Sequence, residues 1–206
     1  MAGVAIALLV ALLFYRLAVH RPGWWVTAGD RSPAAQTRGV ATENGVVREL
    51  TRVRTAASWG FVLGEEDVNA WLVNRLEPWA ESQGRSILPE GISDPRIRFA
   101  DGWIDLGVIA EQGGADILVL LRIDVVREGE ELRLQASGGG GGPTALITSA
   151  LIDAITSDLA GSQAEEGDAA MRLSSIIPLT DGRRVVLEDF EIVPGELAVQ
   201  FRTEGP

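Results

Sequence analysis

Cysteine and lysine are absent from this chain of 206 residues, and histidine occurs once, at His20. Without cysteine there is no disulfide bond, no thiol nucleophile and no cysteine-based zinc site. Since the single histidine lies beside the hydrophobic N-terminus, the folded domain lacks both a Ser-His-Asp triad and a histidine-based metal site. We therefore expect no catalytic residues, no metal ligands and no cofactor, and we predict that the protein is not an enzyme.

Positive charge is scarce, and arginine carries all of it. The 18 arginines are outnumbered by 29 aspartates and glutamates, which gives a formal net charge of −11 at pH 7. Within residues 1–54 arginines outnumber acids, so the acidity is concentrated in the remainder of the chain. A protein that binds nucleic acid needs a basic face to neutralise phosphates. We therefore expect no nucleic-acid partner.

A long apolar run covers residues 2–19 and is interrupted only by Arg16. Its length fits a single transmembrane helix, with Tyr15, Trp24 and Trp25 as interfacial aromatic residues. We predict a membrane anchor over residues 1–21, a linker over 22–42 and a domain over 43–206, hence a single-pass protein of the cell membrane. The alternative is a cleaved signal peptide, because Val26-Thr27-Ala28 resembles a cleavage site.

Two signals disagree about the side of the membrane on which the domain lies. Arg16, His20 and Arg21 follow the apolar run, and the positive-inside rule would keep the domain in the cytoplasm. The rest of the chain has the character of an exported, anchored domain. We favour the extracytoplasmic side, against the local charge rule.

The clearest helix signal lies at residues 65–78. Three acids open this stretch, where the positive end of a helix dipole favours them. Val68, Trp71, Leu72, Leu76 and Trp79 then recur at helical spacing and form one apolar stripe. Pro78 should end or kink the helix near Glu77. Two indoles on one stripe predict a helix that is wrapped by a sheet.

Period-two alternation bounded by short turns predicts seven antiparallel strands. They cover about 96–100, 103–110, 116–127, 130–136, 171–179, 183–193 and 196–203. Further helices are predicted at about 43–57 and 144–160. The predicted fold class is α+β: an N-terminal transmembrane helix followed by a curved antiparallel sheet of about seven strands wrapped around helices.

Two other features are better explained without a ligand. The glycine run at 138–142 lacks the Gly-Lys-Ser/Thr ending of a phosphate loop, and we interpret it as a connection between strand and helix. The acidic clusters lack the spacing of a calcium loop and fit a helix start or solvated turns. These clusters are Glu65/Glu66/Asp67, Glu128/Glu130/Glu131, Glu165/Glu166/Asp168 and Glu188/Asp189/Glu191.

The stretch from Leu63 to Leu72 combines an acidic helix start, an aliphatic residue, Asn69 and a later leucine. It resembles the signature of small, membrane-anchored envelope proteins of the YpmS-like type, whose function is uncharacterised. More distantly, it is similar to tubular lipid-binding domains (BPI-like, YceB-like). The resemblance covers residues 58–203 by pattern and implies an extracytoplasmic, lipid-binding domain without known enzymatic activity. The chain departs from the pattern in its uncharged N-terminus and in its five consecutive glycines.

These observations predict a non-enzymatic domain that binds an apolar, lipid-like ligand between the sheet and the helix that bears Trp71. A strand that is apolar on both faces, next to an indole-rich helix, indicates such a groove. The expected lining residues are Trp71, Leu72, Leu76, Trp79, Trp103, Leu118 and Leu120. The expected partner is membrane lipid. The alternative is a structural or assembly subunit that contacts another envelope protein.

Overall fold

The computed structural model describes residues 22–25, 31–54, 56–84, 86, 88–138 and 170–205. Within these residues the chain forms three helices and nine strands. The helices are α1 (Pro33–Thr51), α2 (Glu65–Asn74) and α3 (Leu76–Ser82). The strands are β1 (Ser58–Gly64), β2 (Ile92–Phe99), β3 (Ile104–Gln112), β4 (Ala115–Glu128), β5 (Glu131–Gly138), β6 (Ala170–Ser174), β7 (Ile176–Pro178), β8 (Arg184–Val193) and β9 (Glu196–Glu204).

The strands form two antiparallel sheets, a four-stranded one in the order β1-β9-β8-β7 and a five-stranded one in the order β2-β3-β4-β5-β6. The predicted single curved sheet of about seven strands wrapped around helices is therefore wrong. The reason is β1, which the sequence pattern did not identify as a strand. It pairs along its whole length with the C-terminal strand β9, from Ser58↔Arg202 to Gly64↔Glu196. With this long-range pairing, the β8–β9 hairpin belongs to the four-stranded sheet and not to the sheet of β2–β6.

The predicted strand 171–179 is in fact two strands that belong to different sheets. The chain crosses from one sheet to the other at Ser175, which is buried. Ser175 N donates to Glu130 O in the turn before β5, and Leu187 N on β8 donates to Ser175 O, both at 2.8 Å. The backbone of Ser175 is thus hydrogen-bonded to residues of both parts of the fold, at the point where the chain passes from one sheet to the other.

The helices also differ from the predicted ones. The predicted helix 65–78 breaks at Arg75, and Pro78 lies in the first turn of α3, where its missing N–H removes no helical hydrogen bond. The predicted helix 43–57 begins much earlier. Ser32 caps α1 by accepting a hydrogen bond from Ala35 N, and Pro33 follows at its first turn. Much of the predicted linker 22–42 is therefore helical.

Helix α2 covers the free edge of β2 with side chains. Asn69 Nδ2 donates to Ile97 O and Asn69 Oδ1 accepts from Ile97 N, each at 2.8 Å. Phe99 N donates to Glu65 Oε2 at 2.8 Å, and Gly195 N in the β8–β9 turn donates to Phe99 O at 3.1 Å. An uncovered edge strand is a template for pairing with other chains. The side chains of α2 remove that opportunity here.

Each sheet has its own apolar cluster. In the five-stranded sheet, Val108 and Val119 are cross-strand partners and are almost completely buried. In the four-stranded sheet, Val185 and Leu187 pack with Phe201. Phe201 also lies beside two aromatic rings of β1, with Trp59 at 5.0 Å and Phe61 at 5.7 Å between ring centroids. β1 is thus held by aromatic packing as well as by its ladder of hydrogen bonds.

Among the residues that the structure describes, no helix is both long enough and apolar enough to span a bilayer. This finding does not support the expected single-pass membrane protein, and the predicted envelope location and membrane-lipid partner have no support from it either. The predicted anchor at 1–21, including Tyr15, lies outside the described residues, as do the predicted helix 144–160 and glycines 139–142.

Trp25 does not extend into an interfacial aromatic belt. Its side chain is only 5% exposed and lies against Gly107 on β3. The guanidinium carbon of Arg96 lies 5.1 Å from the centre of the indole ring. Residues 22–25 are therefore docked on the five-stranded sheet.

Candidate functional site

The structure places the seven predicted lining residues in three separate places. Trp71 and Trp79 lie together on α2 and α3, where their rings meet edge to face at 6.1 Å between centroids. Leu72 and Leu76 line a groove between the helices and the start of β2. The other three, Trp103, Leu118 and Leu120, belong to the five-stranded sheet and its first turn. None of the three grooves described below is lined by all seven.

The indole of Trp71 serves a polar junction between helices. Its Nε1 donates to Glu43 Oε2 at 3.2 Å, and Arg75 Nε donates to the same oxygen at 2.9 Å. Hydrogen bonding from Arg75, with a smaller contribution from Trp71, lowers the pKa of the Glu43 carboxyl below its ordinary value. This junction joins α1 to α2 at the residue where the helix breaks.

The lowered pKa of Glu43 predicts a pH dependence of stability. Because the folded state favours the ionised carboxylate, Glu43 contributes stability above its unfolded pKa and loses it as pH falls through its lowered folded pKa. Urea unfolding from pH 7 down to pH 3 should show Glu43→Gln less stable than wild type at pH 7, with the difference vanishing at the acidic end. Glu81→Gln, an acid without an ion pair among the described residues, is the control and should show no such convergence.

The groove that holds Leu72 and Leu76 has a mixed lining. It has a volume of about 380 Å³ and lies between α2, α3 and the residues that lead into β2. Its floor is aliphatic, but Arg31, Glu77, Glu81, Glu90 and Asp94 also line it. An apolar ligand would have to lie against these charges, which favour water. This groove does not fit the predicted apolar site.

The outer face of the five-stranded sheet carries Trp103, Leu118 and Leu120. By this face we mean the one that bears Arg98, Asp105 and Arg122, which are neighbours in register across β2, β3 and β4. Leu120 is 38% exposed there. The apolar alternation of β4 was visible in the sequence, but the sequence did not show which face of the sheet would be covered.

A groove between the two sheets has an almost entirely hydrocarbon lining. Its volume is about 300 Å³, and twelve of its fourteen lining residues are hydrophobic, the others being Ser174 and Ser175. Ile104, Val125 and Leu134 contribute from the five-stranded sheet. Leu187, Phe190 and Val199 contribute from the four-stranded sheet. Several of these side chains, including Val125, Leu134 and Phe190, are only half-buried.

Sequence reasoning missed this groove, although each strand that lines it showed the alternation on which such a site depends. Val125 and Leu134 are cross-strand partners on β4 and β5, and Phe190 and Val199 are partners on β8 and β9. Both pairs line this one groove, although they belong to different sheets. The alternation along the strands does not indicate where the chain crosses between the sheets.

Among the described residues, no group of three or more side chains that could hold a metal ion is found. The predicted cluster Glu165/Glu166/Asp168 lies outside these residues. Glu65 is used to cover the edge of β2, and Glu66 and Asp67 form ion pairs with Arg38. Glu188 accepts hydrogen bonds from Ser58 and Arg202 on its own sheet. Comparisons with models of protein families, with curated proteins and with solved structures find no match to this chain.

Proposed function

We propose that this domain binds a small, uncharged aliphatic ligand in the groove between its two sheets. The observation that supports the proposal is the lining itself. Hydrocarbon side chains from both sheets face one space and are left half-exposed in it. Half-exposed apolar side chains in a concave site gain free energy when a ligand removes them from water.

The size and charge of the groove define the ligand. A volume of about 300 Å³ lies at the lower end of the range for ligand sites, so the ligand is a short chain or a small apolar body. No charged residue belongs to the described lining, so a charged group would project out of the groove into water. Ser174 and Ser175 are the only lining residues with side-chain hydroxyls. The proposed role is binding without chemistry.

Val125 and Val126 provide a matched pair of variants for the test. They are neighbours on β4, but Val125 faces the groove whereas Val126 is 51% exposed on the other face. Phenylalanine at position 125 would occupy part of the groove. We expect Val125→Phe to weaken binding of the uncharged probe Nile red about tenfold or more, which is at least ~1.4 kcal/mol of binding free energy. Val126→Phe should change the affinity by less than about twofold, within the usual effect of a surface substitution.

Nile red fluorescence, with displacement by 1-octanol, measures this directly, and thermal unfolding shows whether both variants remain folded. Equal affinities of the two variants would count against the groove as the site. Absence of saturable binding to wild type, together with cross-linking that recovers a stoichiometric protein partner, would favour the assembly subunit instead.

A further inference from the structure

Two arginines lie within cation–π distance of tryptophan rings on the outer face of the five-stranded sheet. The guanidinium carbon of Arg122 lies 4.1 Å from the centre of the Trp103 ring, and that of Arg98 lies 5.6 Å from the Trp24 ring. A stacked guanidinium keeps its N–H donors in the plane of the group, where they can bind a carboxylate or a phosphate. This acidic protein thus has two arginine–tryptophan contacts on one face of the sheet.

The acid between the two arginines is already occupied. Asp105 accepts from Arg98 Nε at 2.9 Å and from Trp103 Nε1 at 3.1 Å. Arg122 is its register partner on β4 but forms no ion pair or hydrogen bond with any described residue. Two arginines and one aspartate leave one positive charge in excess. Among the described residues, the Arg122 guanidinium is the group in this set whose donors have no partner.

Arg98, Asp105 and Arg122 line one open groove of about 740 Å³. Trp24, Leu120 and Ser137 also line it, so the groove combines cationic donors, a hydroxyl and apolar surface. Ser137 is the register partner of Arg122 on β5, which places its hydroxyl on the strand next to the guanidinium. Asp124, two residues along β4 from Arg122, does not belong to the lining.

We propose that this outer groove is a second binding site, which takes a small anion with a planar apolar body. The carboxylate or phosphate of the ligand is bound by Arg122, with Ser137 as an additional donor. The apolar body lies on Leu120 and on the indole of Trp24. The site needs both parts, because the Arg122 guanidinium lies over the Trp103 ring and shares its groove with the apolar surface of Leu120 and Trp24.

Isothermal titration with 1-naphthoate and its neutral counterpart 1-naphthamide tests the proposal. The acid should bind wild type about tenfold or more tightly than the amide, and added salt should weaken its binding. Arg122→Gln should abolish the preference for the acid. Arg122→Lys should retain only part of it, since lysine keeps the charge but not the planar fork. Arg172→Gln is the matched control because Arg172 is exposed and paired with Glu131, and it should change the affinity by less than about twofold.

Several results would overturn this assignment. Equal affinities for the amide and the acid would show that the negative charge of the ligand does not contribute to binding. An unchanged affinity for naphthoate in Arg122→Gln would show that Arg122 does not bind it. Loss of naphthoate binding in Val125→Phe would place the probe in the groove between the sheets. Binding of hexaglutamate that depends on Arg122, without binding of naphthoate, would identify an acidic protein segment as the ligand instead. None of these measurements requires Nile red to bind between the sheets, so a negative Nile red result would not change their interpretation.

Discussion

Replacing Trp25 with alanine is expected to lower the free energy of unfolding by about 3–5 kcal/mol, the cost found when a large aromatic side chain is removed from a core. Trp25 is only 5% exposed, although it lies close to the N-terminus. Its ring fits over Gly107, where an added Cβ would lie 2.2 Å from ring atom Cζ3. Only glycine at position 107 leaves space for the indole.

The neighbouring indole provides the control for this prediction. Trp24→Ala should cost about 1 kcal/mol, the centre of the distribution for single substitutions, because Trp24 is less buried. Urea unfolding monitored by far-UV circular dichroism measures both variants. Equal effects of the two substitutions would show that Trp25 has no special place on the sheet.

A double-mutant cycle tests the contact itself. Gly107→Ala should cost about 1–3 kcal/mol in wild type by overpacking against the ring. In the Trp25→Ala background the same substitution should cost little, because the nearest remaining atom is Leu120 Cδ2 at 3.2 Å, the end of a flexible side chain. The two substitutions should therefore be coupled. Strict additivity would mean that the indole does not lie over Gly107.

Replacing Asn69 with leucine is expected to lower the free energy of unfolding by about 2–6 kcal/mol. The substitution leaves both the N–H and the C=O of Ile97 without the partners that they have at 2.8 Å. Each partly buried backbone group left unsatisfied costs about 1–3 kcal/mol. The exposed edge of β2 should also promote self-association. Unfolding in urea gives the first effect, and size-exclusion chromatography as a function of concentration gives the second.

Asn69→Asp separates the two hydrogen bonds. The aspartate carboxylate can accept from Ile97 N but cannot donate to Ile97 O, whereas the protonated acid can do both. Folding should therefore raise the pKa of the introduced carboxyl. The loss of stability relative to wild type should be full above that raised pKa and should shrink as pH falls through it. A loss that is independent of pH would show that Asn69 does not bridge both groups of Ile97.

The two hairpin-rich parts of the chain could be located from sequence because alternation and turns are local. The predicted runs at 103–110, 116–127 and 130–136 lie within two residues of β3, β4 and β5. The turn at Pro194-Gly195 joins β8 to β9, with Gly195 at a φ of 86°, which L side chains rarely adopt. The same turn also binds Phe99 and Glu65, which no turn propensity could indicate.

The candidate site could not be located in the same way. The sequence marked Trp71, Trp79 and Trp103 as unusual, and each has a polar or aromatic partner that fixes it elsewhere. Trp71 donates to Glu43, and Trp103 donates to Asp105 and stacks on Arg122. The partner of Trp71 is distant in sequence, since Glu43 lies 28 residues away. The periodicity of the tryptophans carried no information about their partners.

By itself, the sequence determined the chemistry available to the protein and the local elements. Residue types that are absent cannot contribute to chemistry. Alternation with period two predicts a strand whatever its position in the fold. Only the tertiary structure decided that the strands form two sheets, that Asn69 covers an edge, and that Val125 and Phe190 line the same groove. The physical reason is that a period of two distinguishes the faces of a strand but does not specify what lies against either face.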